Sequence, residues 1–365
     1  MIPGPSEPEP EVVASLSLPV MAHYGSAWGG VYENTLMKLQ RIFKSRNEVI
    51  LLPSPGQTAV EMAVASLVRK GQEAFVCANG FFSDMIVETL KFYGAKPRLI
   101  RAGLGKPVRA EAVKAVVEAS RKTNEPRSLF LVHNETSTGL TNPAAQIMKV
   151  CRDLDLISVL DSISAFGGID VRTDEWKVDY CIGYSSKAIG GVFGVTPVCI
   201  SKDCWQLAKK IDNSGSRFLN LNVWRHFIDE WAPIGHPHPS TMPTNIVLAL
   251  NTALDLIFEE GLEKRYKRHN AMARMMEKEL EDLGLEIFPE KKYASNTVTA
   301  AVVNPKLDQK LRMTLLQKYG IMISGGLGNL GGKIIRIGHM GTSASPQAIS
   351  TTLAAIRDIM KPDPP

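Results

Sequence analysis

No run of eighteen or more apolar residues occurs in the 365-residue chain, so no segment reads as a membrane span. Cysteine is scarce. The five residues, at 77, 151, 181, 199 and 204, are odd in number and contain no CxxC pair. That excludes a disulfide framework and a structural zinc site, and four of the five lie in or beside apolar runs, as small buried hydrophobes do. The seven histidines form no HExxH; His236 and His238 are close in sequence but have no cysteine or carboxylate ligand beside them, so no metal is expected. The formal net charge is only +5 and no Lys/Arg-rich run occurs, which argues against nucleic acid as a partner. The first ten residues are acidic and proline-rich, without the basic and apolar regions of a secretion signal, and the Lys361-Pro-Asp-Pro-Pro365 end is not a peroxisomal address. A cytoplasmic protein without membrane contact is the expectation.

What is present is 44% hydrophobic content over a length that exceeds one ordinary domain. Between about 50 and 200, short apolar runs alternate with helix-length segments. Strands are predicted at 73–77, 96–100, 128–132, 156–160, 180–183 and 195–200, and helices at 81–93, 110–122 and 143–154, the last with Pro143 in its first turn. Continuous apolar strands separated by helices predict an α/β fold whose mostly parallel sheet is covered on both faces. Pro243 opens a long helix that Gly261 breaks, and helix resumes over 262–283. Short strands and two helices after Leu285 predict a smaller α+β domain. The division expected is an N-terminal arm (1–20), a large domain (21–255) and a small C-terminal domain (256–365), with the long helix connecting them.

Lys187 follows the strand-like Tyr180-Cys-Ile-Gly183 and is flanked by small residues in Ser185-Ser-Lys-Ala-Ile-Gly-Gly191. A desolvated lysine amine there could act as a Schiff-base nucleophile, although most lysines after a strand are simply solvated. Asp161 ends the strand before it, 26 residues earlier (187 minus 161), where α/β sheets bind ligands. A buried carboxylate can keep the ring nitrogen of pyridoxal phosphate protonated; it can also merely cap the next turn. Ser54-Pro-Gly-Gln-Thr58 precedes a helix-like segment and offers free N–H groups and a positive dipole end to a phosphate, or else is an ordinary helix start. Arg336, among β-branched residues in Lys333-Ile-Ile-Arg-Ile-Gly338, needs an anionic partner, either a substrate carboxylate or a structural salt bridge. Gly326-Leu-Gly-Asn-Leu-Gly331 fits GxGxxG, but a strand-like segment follows instead of the helix that motif requires, so it reads as a turn feeding the Arg336 strand.

With these residues in order, the chain resembles the class V aminotransferase family, close to its alanine–, serine–glyoxylate and pyridoxamine–pyruvate members. The resemblance runs from Pro3-Gly-Pro5 to Gly338-His-Met-Gly341, and its most specific pieces are His133-Asn-Glu-Thr-Ser-Thr-Gly139, Asp161-Ser-Ile-Ser164, Ser185-Ser-Lys187 and Arg336-Ile-Gly338. It implies the pyridoxal-phosphate transferase fold of type I and a homodimer with sites at the interface. It implies that Lys187 forms the internal aldimine and shuttles a proton, and that Asp161 pairs with the pyridine nitrogen. Thr136 would contact the ring oxygen and Phe82 would stack on the ring. Gly56, Gln57 and Ser186 would lie on the phosphate side, with His238 and Thr241 reaching the neighbouring subunit's phosphate. Arg336 would bind the substrate carboxylate. Three positions depart from the alanine–glyoxylate pattern: Pro55-Gly-Gln57 for Ser-Gly-His, Phe82 for tryptophan, and Ser186 for glutamine.

The activity implied is transfer of an amino group from an amino acid or related amine to a 2-oxo acid, glyoxylate or pyruvate. One competing reading is a lyase or desulfurase on the same fold, which needs a cysteine on a mobile loop. Others are a nicotinamide dehydrogenase, from the glycine pattern, and a catalytically silent protein of this fold.

Overall fold

A computed structural model of the chain describes residues 1–120, 127–211 and 215–361. The expected helix end at 121–122 and the four C-terminal residues lie outside the described residues.

The strands in chain order are β1 (Glu48–Leu52), β2 (Glu73–Ala78), β3 (Lys96–Arg101), β4 (Arg127–Val132), β5 (Asn134–Glu135), β6 (Leu140–Thr141), β7 (Leu156–Asp161), β8 (Tyr180–Ile182), β9 (Thr196–Ile200), β10 (Val298–Val302), β11 (Ser324–Gly325) and β12 (Ile334–Gly338). The helices that matter below are α1 (Pro10–Ser15), α2 (Ser26–Phe43), α3 (Gly56–Leu67), α4 (Phe81–Phe92), α5 (Ala110–Ala119), α6 (Ala144–Asp153), α7 (Thr173–Trp176), α8 (Lys202–Lys210), α9 (Leu221–His226), α10 (Thr244–Glu260), α11 (Leu262–Asp282), α12 (Pro305–Tyr319) and α13 (Pro346–Met360).

Seven strands form the main sheet in the order β1-β9-β8-β7-β4-β2-β3. From β3 to β8 every pairing is parallel, while β9 runs antiparallel to both β8 and β1. The sheet is therefore mostly parallel, as the apolar runs predict. Every residue of β4 is buried. Alternate residues go to opposite sides: Leu129 and Leu131 join one core, Phe130 and Val132 the other. That is how a strand with helices on both faces must distribute its side chains. Edge strand β3, Lys-Pro-Arg-Leu-Ile-Arg, instead carries charge and proline, which blunt pairing with another chain.

A smaller antiparallel sheet, β10-β12-β11, packs its Ile335 and Ile337 with Leu280, Leu311 and Leu353 of α11, α12 and α13. Helix α10 lies against α1 and α2, whereas α11 lies against α13 and β10. Between them Gly261 turns the chain at φ 84°, a backbone value that favours glycine. The Gly326–Gly331 pattern forms a short 3-10 turn (Gly328–Leu330) leading into β12. Helix α6 starts one residue later than expected, because Pro143 with ψ 70° stands outside the helical range. Among the described residues, no helix is long and apolar enough to cross a membrane.

Candidate active site

The parallel pairing fixes which strand ends lie side by side. Asp161 at the end of β7 is in register with Val132 of β4 on one side and Ile182 of β8 on the other. The turn carrying Lys187 follows β8, and the segment carrying Thr136 follows β4. A cleft of about 230 Å³ opens at these ends. It is lined by Gly56, Gln57, Phe82, Thr136, Asp161 and Lys187, so six of the predicted site residues meet there.

Asp161 is buried, and burial pushes its carboxyl up to about 7, against hydrogen bonding from the Ile163 N–H at 2.9 Å. Lys187 moves the other way. Burial and then the positive charge of Arg336 bring its amine down to about 8, while Asp161 opposes them. Both shifts follow from charged groups losing water. The helix start at Gly56 has no side-chain cap, and its first two residues, Gly56 and Gln57, line the cleft.

The donor set fits pyridoxal phosphate. A carboxylate for the pyridine nitrogen, an amine for the aldehyde, an aromatic face and a helix N-terminus for the phosphate all line one cleft.

Arg336 sits on the middle strand of the small sheet, outside the cleft lining. Its Nε donates to the Gly325 carbonyl at 2.8 Å and its Nη1 to the Thr136 carbonyl at 3.3 Å. No described carboxylate makes an ion pair with it, so the structural salt bridge that the sequence left open is absent among the described residues. Burial lowers its pKa to about 10, with Glu135 opposing.

Ser186 is buried on the lysine turn, with its carbonyl bonded by the Ser6 N–H at 2.8 Å. His238 and Thr241 are not brought to this cleft. His238 is fully buried, and both ring nitrogens are engaged, one by Trp28 Nε1 at 2.9 Å and one by the Ser240 carbonyl at 2.8 Å. Thr241 is exposed. His23 joins His236 and His238, the three offering ring nitrogens within 4.8 Å of one another.

Two features escaped the sequence. Glu135 is fully buried and accepts from the backbone N–H groups of Phe82, Ser83 and Ser137 and from the Ser137 hydroxyl. It thereby fixes the start of α4 and with it Phe82. A carboxylate in a polar run directly after an apolar strand was the available signal. The second is the contact of the N-terminal arm with the lysine. Lys187 Nζ donates to the Pro3 carbonyl at 2.6 Å, and a Cβ on Gly4 would lie 2.2 Å from Nζ, so only glycine admits this approach.

The chemistry of the competing readings is poorly served. All five cysteines are buried and burial raises the thiols of each, so none is a ready thiolate. The glycine pattern opens no helix, so it cannot cradle a dinucleotide.

Comparison with known proteins agrees. Residues 16–334 match the family described as aminotransferase class-V. An uncharacterized aminotransferase of Methanocaldococcus jannaschii is 33% identical, over 99% of this chain and 92% of its own. Among solved structures, alanine–glyoxylate aminotransferase from Nostoc sp. superposes with a TM-score of 0.93 at 27% identity, covering 99% of this chain and 94% of the other. Pyridoxamine–pyruvate aminotransferase from Mesorhizobium loti gives a TM-score of 0.91 at 26% identity, covering 98% and 91%.

Proposed function

Since the chain belongs to the class-V aminotransferase family, we propose that it holds pyridoxal 5′-phosphate on Lys187 and moves amino groups from an amino acid or related amine to glyoxylate or pyruvate. It is an aminotransferase, and the lyase, desulfurase and dehydrogenase readings are not favoured. The observation that carries the site assignment is that Lys187 and Asp161 line one cleft with oppositely shifted acidities. The glyoxylate and pyruvate preference rests on the relatives' named activities.

Bound in the cleft, pyridoxal phosphate supplies an electron sink for charge released at the substrate's α-carbon. Asp161 Oδ holds the proton on the ring nitrogen by charge pairing. Lys187 Nζ, poised near neutrality, takes the α-proton and returns it. Phe82 covers the ring face, the first turn of α3 receives the phosphate, and Thr136 and Ser186 serve as the resemblance implies. Arg336, with two carbonyl partners and no acid among the described residues, receives the substrate carboxylate. The segment of His238 and Thr241 reaches the phosphate of a second copy in a homodimer, Thr241 from its exposed position and His238 by anchoring the segment on Trp28 and Ser240. The same reading takes 1–20, 21–255 and 256–365 as arm, large domain and small domain, and the cytoplasm as the compartment.

A donor screen tests this. Protein loaded with pyridoxal phosphate should absorb near the visible, lose that band on adding an amino donor, and regain it with glyoxylate or pyruvate. A loaded protein whose band no donor bleaches would overturn the reading.

A further inference from the structure

The turn that carries Lys187 is not stabilised by a sheet or a helix. Its backbone carbonyls must find partners elsewhere, because a buried unpaired carbonyl costs about 1–3 kcal/mol. The Ser185 carbonyl accepts from Gly191 N at 2.9 Å. The Ser186 carbonyl accepts from Ser6 N at 2.8 Å. The Lys187 carbonyl accepts from Ser6 Oγ at 2.7 Å and from Gly190 N at 2.9 Å. The next two carbonyls, Ala188 and Ile189, both face Arg265 of α11, whose Nη2 reaches them at 2.5 and 3.4 Å.

Arg265 does more than close that turn. Its Nε donates to the Gly167 carbonyl at 2.9 Å, in the loop that follows Asp161, and its Nη1 to Glu260 Oε2 at 2.8 Å. The planar fork thus bridges the loops after β7 and β8, the first following the aspartate and the second carrying the lysine. One turn further along α11, Arg268 donates to the Gly341 and Ala344 carbonyls at 2.9 and 2.6 Å, and His269 Nε2 accepts from Gly341 N at 3.3 Å. These lie just beyond β12, the strand of Arg336. A single helix face therefore ties together the loops that follow β7, β8 and β12.

We infer that Arg265 is a positioning residue for the reacting amine: its guanidinium fixes the backbone turn from which Lys187 projects. The inference rests on reading Lys187 as the reacting amine. Lysine cannot replace Arg265, because a single ammonium on a flexible stem cannot reach the Gly167, Ala188 and Glu260 oxygens in one plane.

The test uses the enzyme loaded with pyridoxal phosphate. Arg265→Lys keeps a cation beside Glu260, and thermal melts first establish that it is folded at the assay temperature. It should then lose about tenfold or more in kcat, with KM for both substrates within about twofold. The visible circular dichroism of the cofactor band, which reports how the lysine holds the ring, should change. Arg265→Met is the second variant and should do the same. If either folded variant keeps wild-type kcat and wild-type circular dichroism, the inference is overturned. If Arg265→Lys restores both while Arg265→Met loses them, the role is charge balance with Glu260 and the inference is likewise overturned. Lys187→Ala assayed in parallel separates the two claims. Turnover by Lys187→Ala would remove the lysine from the mechanism, whereas a silent Lys187→Ala beside fully active Arg265 variants would remove only the positioning role.

Discussion

Two arginines close to the lysine turn have the same fractional exposure, 6% each, and opposite circumstances. Arg265, on the helix face behind the lysine turn, has spent its fork on a carboxylate and on the carbonyls of Gly167, Ala188 and Ile189. Arg336, at the centre of the small sheet, has two carbonyls and no described acid. A buried cation without an anion is costly, and the fold tolerates it where an anion arrives with the substrate. A buried cation with all three guanidinium nitrogens engaged is part of the frame. The difference separates a residue that waits for a ligand from one that holds the machinery in place, and burial alone would not have told them apart.

Both arginines bear on Lys187, so the largest effect should come from removing it. Lys187→Ala should abolish turnover, a loss of at least about 10²–10⁴-fold for a positioned acid–base group, together with covalent cofactor retention on denaturation. Measurable turnover at the wild-type rate would leave neither arginine with a role to compare. Next in size is Arg336→Ala. Losing a charge-assisted contact of about 2–4 kcal/mol should lower kcat/KM for carboxylate substrates roughly 30- to 1000-fold, mostly through KM. An unchanged kcat/KM would place Arg336 with Arg265 as frame and erase the distinction.

Asp161 and Lys187 were legible in the sequence because strand ends in an α/β alternation have a known place, and the residues that share their cleft came with the family's motifs. The second, smaller sheet was legible from the short strands after Leu285. Arg265 was not legible at all. All its partners but Glu260 are backbone carbonyls, which every sequence has, and nothing in Glu260-Gly-Leu-Glu-Lys-Arg265 marks it off from the solvated charges of an amphipathic helix. The contact of Lys187 with Pro3 spans 184 positions and depends on a main-chain atom, so it too left no trace in residue types. Glu135 was visible as a letter of a motif, but its task, holding the N–H groups of Phe82 and Ser83, appears only once α4 and the segment after β4 are brought together. His238 shows the converse: the motif was noticed, while its commitment to Trp28 and Ser240 could not be foreseen.

Stability offers a sharper form of the same contrast, with smaller numbers. Arg265→Met should destabilise the cofactor-free protein by about 2–4 kcal/mol, because it strands several buried carbonyls at once. Arg336→Met should leave stability unchanged or raise it, since it replaces a buried charge that has no described ion-pair partner by an apolar chain of similar length. Denaturant melts of the two variants under one condition decide this. Equal losses would mean that the two sites are energetically alike despite their different partners.

The smallest effect is a shift along the pH axis. Lys187 lies near 8 instead of its ordinary 10.5 because of burial first and the Arg336 charge second. A protonated amine cannot attack an aldehyde, so covalent capture of pyridoxal phosphate by the cofactor-free protein should speed up with pH and level off above about 8. Between about 8 and 10.5 the unfolded chain still binds a proton that the folded lysine has released, so this group's contribution to stability should improve as pH rises through that window. Asp161 has the opposite sign. Its folded value of about 7 exceeds its ordinary 3.8, so the folded state holds the extra proton, and its contribution should worsen as pH climbs from about 4 to 7. Arg336→Ala removes a positive charge from beside the amine, so the midpoint of the capture profile should move upward, by less than the full distance to 10.5 because burial remains. Stopped-flow absorbance across pH 6 to 10 measures it. A midpoint that stays near 8 in Arg336→Ala would mean that burial alone sets the lysine's acidity, and that the unpaired arginine speaks to the substrate but not to the amine.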